Sequence, residues 1–201
     1  WVGIAFSAQS YPSQDLMKRL EEIQSYQAQF KQVIKDDKGK QISTTEGDLQ
    51  VARPGRFRWK SQTPDQVLVV ADGKFIWTYD IELEQVVKNN QNTSLGQSPA
   101  ALLAGEVVNL EKDYAVELAQ PADCHRSVDA CYKLVAKDQN NAFKNIKMGF
   151  SGKNLITIEM QDALDQNILT EFKQVQVNQT MNNTIFQFKP PAGVDVIQGS
   201  N

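Results

Sequence analysis

The corner Arg53-Pro54-Gly55-Arg56-Phe57-Arg58-Trp59 constrains the fold more than any other stretch of this chain. Before it, Gly47-Asp48-Leu49-Gln50-Val51-Ala52 alternates with Leu49 and Val51 on one face, and after it Phe57 and Trp59 share a face. Between the two, Pro54 presets φ and Gly55 accepts the positive φ that the second central position of a type II turn requires. The strands therefore form a hairpin with Arg53 at its mouth. Two large aromatics on one face of a strand are either plain sheet core or the wall of an apolar cavity.

The same period of two recurs on both sides of the corner. Over 26–35, Tyr26, Ala28, Phe30 and Ile34 are interspersed with Gln27, Gln29, Lys31 and Lys35, the pattern of a half-buried antiparallel strand. Residues 36–40 turn it back into a strand over 42–52. Beyond Trp59, a Thr63-Pro64-Asp65 turn leads to a strand over 66–71, Asp72-Gly73 gives a hairpin signal before 75–79, and 84–88 adds another strand. Residues 89–94 are polar and read as a loop. In the second half, 114–118, 131–136, 145–150, 155–160, 168–177 and 184–189 are strand candidates, the last closed by Pro190-Pro191-Ala192-Gly193. About eleven short antiparallel strands with two or three helices, in one domain over 13–201, point to a strongly curved sheet or incomplete barrel with helices on its concave side.

Two helices have legible ends. Ser13 is placed to cap the first, Asp15 suits its positive end, and Leu16, Leu20 and Ile23 recur at spacings of three and four. That apolar stripe must lie on something. The second helix has Ser98 as its cap, Pro99 at the first helical position and Gly105 ending it in the left-handed conformation. Ala100-Ala101-Leu102-Leu103-Ala104 leaves it no polar face, so it is either a buried connector between strands or a lid closing over something apolar.

Composition removes whole classes of function. With 201 residues, 41% of them apolar before 11 Gly are added, the chain can bury a sizeable core, and no linker-like stretch divides it. A net charge of −3 has the wrong sign for nucleic acid or for an acidic membrane. No apolar run approaches the roughly eighteen residues that span a bilayer. Trp1-Val2-Gly3-Ile4-Ala5-Phe6-Ser7-Ala8 is apolar with small residues near its end, so 1–12 read as the tail of a secretory signal peptide or as an N-terminal extension. Cys124 and Cys131 are spaced to close into a disulfide in an oxidising compartment, the alternative being paired thiols in the cytosol. Those two Cys and the single His125 lack a fourth ligand nearby, which argues against zinc. His125 has no Ser or Asp partner at a motif spacing, there is no phosphate-binding glycine loop, and the carboxylates scatter over turns. No enzyme activity, metal or cofactor is expected.

One ordered set of motifs carries a resemblance. An amphipathic helix, Phe30, Gly47-Asp48-Leu49, Arg53-Pro54-x-x-Phe57-x-Trp59, Asp72-Gly73-Lys74 followed by Trp77-x-Tyr79, the helix containing Pro99, and Phe188-x-Pro190-Pro191-x-Gly193-Val194 follow one another along the chain. In order and spacing this resembles the periplasmic outer-membrane lipoprotein carrier family, LolA, over about residues 14–197. The resemblance implies a half-open antiparallel β-barrel with a helical lid over an apolar cavity. It implies a monomeric periplasmic carrier that shelters lipoprotein acyl chains, receives them from an ATP-driven inner-membrane releasing complex and passes them to an outer-membrane receptor.

On that reading Arg53 fastens the lid, Phe57 and Trp59 belong to the barrel wall, and Leu102 and Leu103 lie on the lid. Leu16, Leu20 and Phe30 join them around the acyl chains. Ala100 and Ala101 stand where relatives commonly carry bulkier residues, and the Cys124/Cys131 loop is an elaboration to which the resemblance gives no role. The alternatives are an outer-membrane receptor or a lipoprotein-sensing module of the same fold, and, third, a lipid-modifying enzyme.

Overall fold

A proline at the first helical position starts the chain's ordered architecture. The computed structural model describes residues 11–91, 98–105, 107–125 and 128–199. Helix α1 (Pro12–Glu21) follows Tyr11 as its cap position, with Asp15 in its first turn and Lys18 and Arg19 in its last, each at the favourable end of the helix dipole. Ser13 lies inside the helix and caps nothing, because Pro12 fixes the helical φ one residue earlier than a serine cap would need. Residues 1–10, read above as a signal remnant or extension, lie outside the described residues.

The strands run β1 (Ser25–Lys35), β2 (Gln41–Ala52), β3 (Arg56–Thr63), β4 (Val67–Asp72), β5 (Phe75–Asp80) and β6 (Gln85–Asn90). Two short helices follow, α2 (Pro99–Ala104) and α3 (Val107–Asp113). The second meander is β7 (Tyr114–Ala119), β8 (Ala130–Ala136), β9 (Phe143–Ser151), β10 (Asn154–Asp162) and β11 (Asn167–Val177), and β12 (Asp195–Gln198) ends the chain's described part. Among the described residues these form a single open curled sheet of 12 strands, ordered β12-β6-β5-β4-β3-β2-β1-β11-β10-β9-β8-β7. Each meander is locally paired. What makes them one sheet is the long-range pairing of β1 with β11, where Phe30 stands opposite Phe172.

Alternation then decides which face is covered. Tyr26, Phe30, Leu49, Val51, Phe57, Tyr132, Leu134, Ile146, Met148, Phe150, Ile158 and Phe172 are buried in one apolar cluster with Leu16 and Leu20 of α1 and all of Ala100 to Ala104 of α2. The helices therefore line the concave side. The hydroxyl of Tyr26, fully buried here, is satisfied, since it donates to the Leu155 carbonyl at 2.8 Å.

Several sequence expectations need correction. The Arg53–Pro54 peptide is cis, which the sequence did not signal, and Gly55 takes the positive φ expected, 68°. Asn89 and Asn90 pair with Ile76 and Phe75 as the end of β6 rather than opening a loop, and 92–94 lie outside the described residues. Residues 184–189 are not a strand: a 3-10 turn spans Asn183–Phe186, closed by the Asn182 side chain accepting from the Thr184 amide. The last strand is β12, and it runs parallel to β6, the one departure from the antiparallel sheet expected. Helix α3 was not anticipated.

Cys124 and Cys131 form a disulfide with Cα atoms 6.0 Å apart. Cys131 stands opposite Gly149 on β9, and a side chain at Gly149 would lie 2.9 Å from Val128 and 3.3 Å from Cys124. Both cysteines pack with Val128 in a small cluster separate from the main one, on the other face of the sheet from Tyr132 and Leu134.

Helix α1 is tied to β8 through Asp15, whose carboxylate accepts from the Tyr132 hydroxyl and from Arg19 Nε at 3.2 Å. The hydrogen bond from Tyr132 is the main cause holding the Asp15 carboxyl below its ordinary value; partial burial opposes it and Arg19 adds to it. A carboxyl whose pKa is lowered by folding stabilises the fold above its unfolded value of about 3.9 and loses that contribution as pH falls through the lowered value. Asp15→Asn should therefore lower the urea midpoint at pH 7, and the deficit relative to wild type should shrink at pH 3. A deficit equal at both pH values would remove the carboxylate from the account.

Candidate functional site

The floor of the concave side is aromatic. Phe30 on β1 stacks on Trp59 of β3 with ring centroids 3.6 Å apart and planes 27° from parallel. These strands are not neighbours: β2 runs between them, with Gly47 opposite Phe30 and Leu49 opposite Trp59. The ring of Phe30 crosses β2 only because position 47 has no side chain. A Cβ there would sit 2.9 Å from Phe30 Cε1 and run into the Lys60 carbonyl oxygen.

Helix α2 covers this region by packing on β2 and β3. Its six residues are all buried, Leu103 and Ala104 completely, as a helix without a polar face requires. Its N-terminus is closed as expected: Ser98 Oγ accepts from the Ala101 amide at 3.1 Å, with Pro99 in the first turn. Its C-terminus is not. Gly105 has φ −69° and ψ 172°, so no left-handed cap forms.

The last carbonyls of α2 are satisfied by the β2–β3 turn instead. Arg53 Nε donates to the Leu103 carbonyl at 3.0 Å, and the Gly55 amide donates to the Ala104 carbonyl at 2.9 Å. A cation at the negative end of a helix is also electrostatically favourable. Burial pushes the Arg53 guanidinium below its ordinary pKa, with the charge of Glu21 acting the other way. Its Nη2 is buried and has no hydrogen-bond partner.

Of the residues read from sequence, Leu16, Leu20, Phe30, Phe57, Leu102 and Leu103 come together in the main apolar cluster, and Trp59, partly buried, packs against it. Arg53 stands at its edge, bonded to α2 and not turned out to water. Cys124 and Cys131 lie in a different cluster. Among the described residues α2 lies buried against the concave face, which makes this a closed form. Among the described residues no group of three or more His, Cys, Asp or Glu could hold a metal ion. Sequence reasoning missed the Gly55 amide and the buried amide of Gln91, which contacts the same turn. Nothing in a polar run such as 89–94 signals that one of its side chains is interior.

Comparison with known proteins gives one consistent result. The family model described as outer membrane lipoprotein carrier protein LolA matches residues 21–189. A Legionella pneumophila protein named outer-membrane lipoprotein carrier protein is 37% identical over 183 residues, 91% of this chain and 88% of that one. A Coxiella burnetii protein of the same name is 31% identical over 193 residues, 96% of this chain and 89% of that one. Among solved structures, an uncharacterized conserved protein from Thermus thermophilus superposes with a TM-score of 0.59 at 12% identity, covering 94% of this chain and all of that one. That last likeness is one of fold.

Two substitutions test the geometry. Gly47→Ala should destabilise by about 1–3 kcal/mol, as overpacking does, because the obstructing Lys60 oxygen is backbone and cannot swing aside. An unchanged denaturant midpoint would mean that Phe30 does not cross β2. Arg53→Leu should leave the circular dichroism spectrum intact while raising hydrogen exchange at the Gly55 amide by roughly tenfold or more, the size expected for losing a charged hydrogen bond beside it. Exchange at wild-type rates would show that Arg53 does not hold α2 down.

Proposed function

The chain belongs to the LolA family of outer-membrane lipoprotein carrier proteins, and from that premise we propose that it shelters lipoprotein acyl chains between α2 and the concave face of the sheet. Carriage of lipoproteins is the family's function, and it is this protein's. The acyl chains settle in the apolar cluster where α2 packs on β2 and β3, among Phe30, Phe57 and Trp59 of the sheet, Leu16 and Leu20 of α1, and Leu102 and Leu103 of the lid. The observation that carries this reading is the clasp: an all-apolar helix, buried over an aromatic floor, held at one end by hydrogen bonds from Arg53 and Gly55.

Its energetics are coherent. Exposing an acyl chain to water costs about 0.8 kcal/mol per methylene, so a long chain crosses an aqueous gap only under cover. Inside the carrier, apolar lining against protein is exchanged for apolar lining against lipid, a change near zero. Small terms then set direction, and the clasp is one of them: it favours the empty closed form, and lifting it favours the loaded one.

The reading places the protein in the periplasm, acting as a monomer and without catalysis. It receives cargo from an ATP-driven releasing complex in the inner membrane and delivers it to an acceptor at the outer membrane. The disulfide, which needs an oxidising compartment to persist, supports that location. The receptor and sensor alternatives gain nothing from relatives that bear the carrier's name. Delipidated protein mixed with an acylated peptide and examined by native mass spectrometry should give a stoichiometric complex that is absent with the same peptide unacylated. Equal binding of both peptides, or of neither, would overturn the proposal.

A further inference from the structure

Gln91 is the residue immediately after β6, and its side chain is 2% exposed, which is unusual for a neutral amide with two hydrogen-bonding ends. Both ends are used. Nε2 donates to the Gly55 carbonyl at 2.6 Å, and Oε1 accepts from the Gly73 amide at 3.1 Å. The backbone amide of Gln91 donates to the Lys74 carbonyl at 3.1 Å, so the residue is fixed to the β4–β5 turn while its head reaches the β2–β3 turn.

The partner atoms are what give this contact a consequence. Gly55 is held from two sides: its carbonyl is taken by Gln91, and its amide donates to Ala104 at the end of α2. One glycine therefore stands in series between a buried amide and the lid. It has to be glycine, because φ is 68° and a Cβ would lie 2.7 Å from Gln91 Nε2. The residue facing it has to be uncharged and both donor and acceptor, since the Gly55 carbonyl needs an N–H and the Gly73 amide needs an oxygen.

We propose that Gln91 is the positioning residue of the clasp, fixing the β2–β3 turn in the geometry from which the Gly55 amide and Arg53 Nε reach the last carbonyls of α2. This rests on the lid reading above and deepens it: the hold on the lid depends on a side chain whose two hydrogen bonds go to turns of the sheet. Gln91 sets how readily the lid opens without altering what the lid covers. Because Gln91 also bonds the β4–β5 turn, anything that shifts that turn alters the hold on α2 through it.

Two variants of the full chain test this. Gln91→Met keeps the length and removes both hydrogen bonds, and Gln91→Glu, measured at a pH where it is ionised, keeps an acceptor for Gly73 but cannot donate to Gly55. In hydrogen exchange measured without cargo, Gln91→Met should raise the Gly55 rate roughly tenfold or more, with Leu49 and Phe172 amides unchanged. Gln91→Glu should raise the Gly55 rate while Gly73 stays protected. Retention of an acylated peptide should shift in the same direction in Gln91→Met as in Arg53→Leu, and the double variant should fall short of the sum, since both act on one turn. Wild-type Gly55 protection in Gln91→Met, or equal loss across the strand amides, would overturn the proposal. Because the exchange readout needs no cargo, failure of the acylated peptide to bind would sink the carrier mechanism and leave this test standing, while wild-type Gly55 protection would do the reverse.

Discussion

Two carbonyl oxygens at the end of a six-residue helix govern the closed form of this protein. A helix this short is not stable by itself, and one without a polar face is not stable in water. Helix α2 persists because both faces of that problem are solved by its surroundings. Apolar contacts bury its side chains, and the β2–β3 turn takes up the backbone groups that any helix leaves unpaired at its C-terminus. Burying those carbonyls without partners would cost about 1–3 kcal/mol each, enough to open the helix. The lid is therefore closed only while the turn is in place. The turn is in place because of a glycine at positive φ and a buried glutamine behind it.

The sheet supplies what the clasp holds the lid against. Phe30 can stack on Trp59 only across a strand that has glycine at the crossing point, so the flat aromatic surface under α2 is specified by three residues on three strands. An aromatic floor presents area with few rotamers to freeze, and it loses little when one apolar partner replaces another. This is why a closed lid is compatible with carriage. An empty apolar hollow would cost stability in the resting protein, whereas a hollow filled by a detachable helix costs only the exchange.

The architecture was legible because alternation is a local signal. The period of two over 26–35 and 42–52, the Asp72-Gly73 hairpin and the apolar block at 100–104 each report on their own neighbourhood, and each formed the element expected. What sequence did not disclose depends on residues far away. Gly105 looked like a left-handed cap because glycine usually supplies one, but it stays at negative φ with its amide on the Ala101 carbonyl, and the carbonyls of Leu103 and Ala104 are met from position 53 and position 55. The region 184–189 alternates like a strand but begins as a 3-10 turn over Asn183–Phe186, while β12 forms further on, against β6. Gln91 sat in a polar run, and burial of an amide leaves no mark on composition. The site divides the same way. The apolar residues and Arg53 proposed for it stood out one at a time, whereas the bonds made by the Gly55 amide and by Gln91 did not.

The clasp is also incomplete, and that bears on which way it works. Arg53 enters the closed form with Nε bonded to α2 and Nη2 buried without an acceptor. Guanidinium is a fork of five N–H donors, and leaving one of its nitrogens dry and unpaired forfeits part of what the other gains. Desolvation of the charge carries a further cost, which the field of Glu21 offsets in part. When α2 lifts, water reaches Nη2 and both costs disappear together. The hydrogen bond to Leu103 is therefore opposed by strain that only opening relieves. On the proposed carrier reading, a fully bonded arginine would make a lock, whereas one with Nη2 unpaired makes a catch that yields to a modest competing gain, such as an acyl chain settling on the floor that α2 vacates.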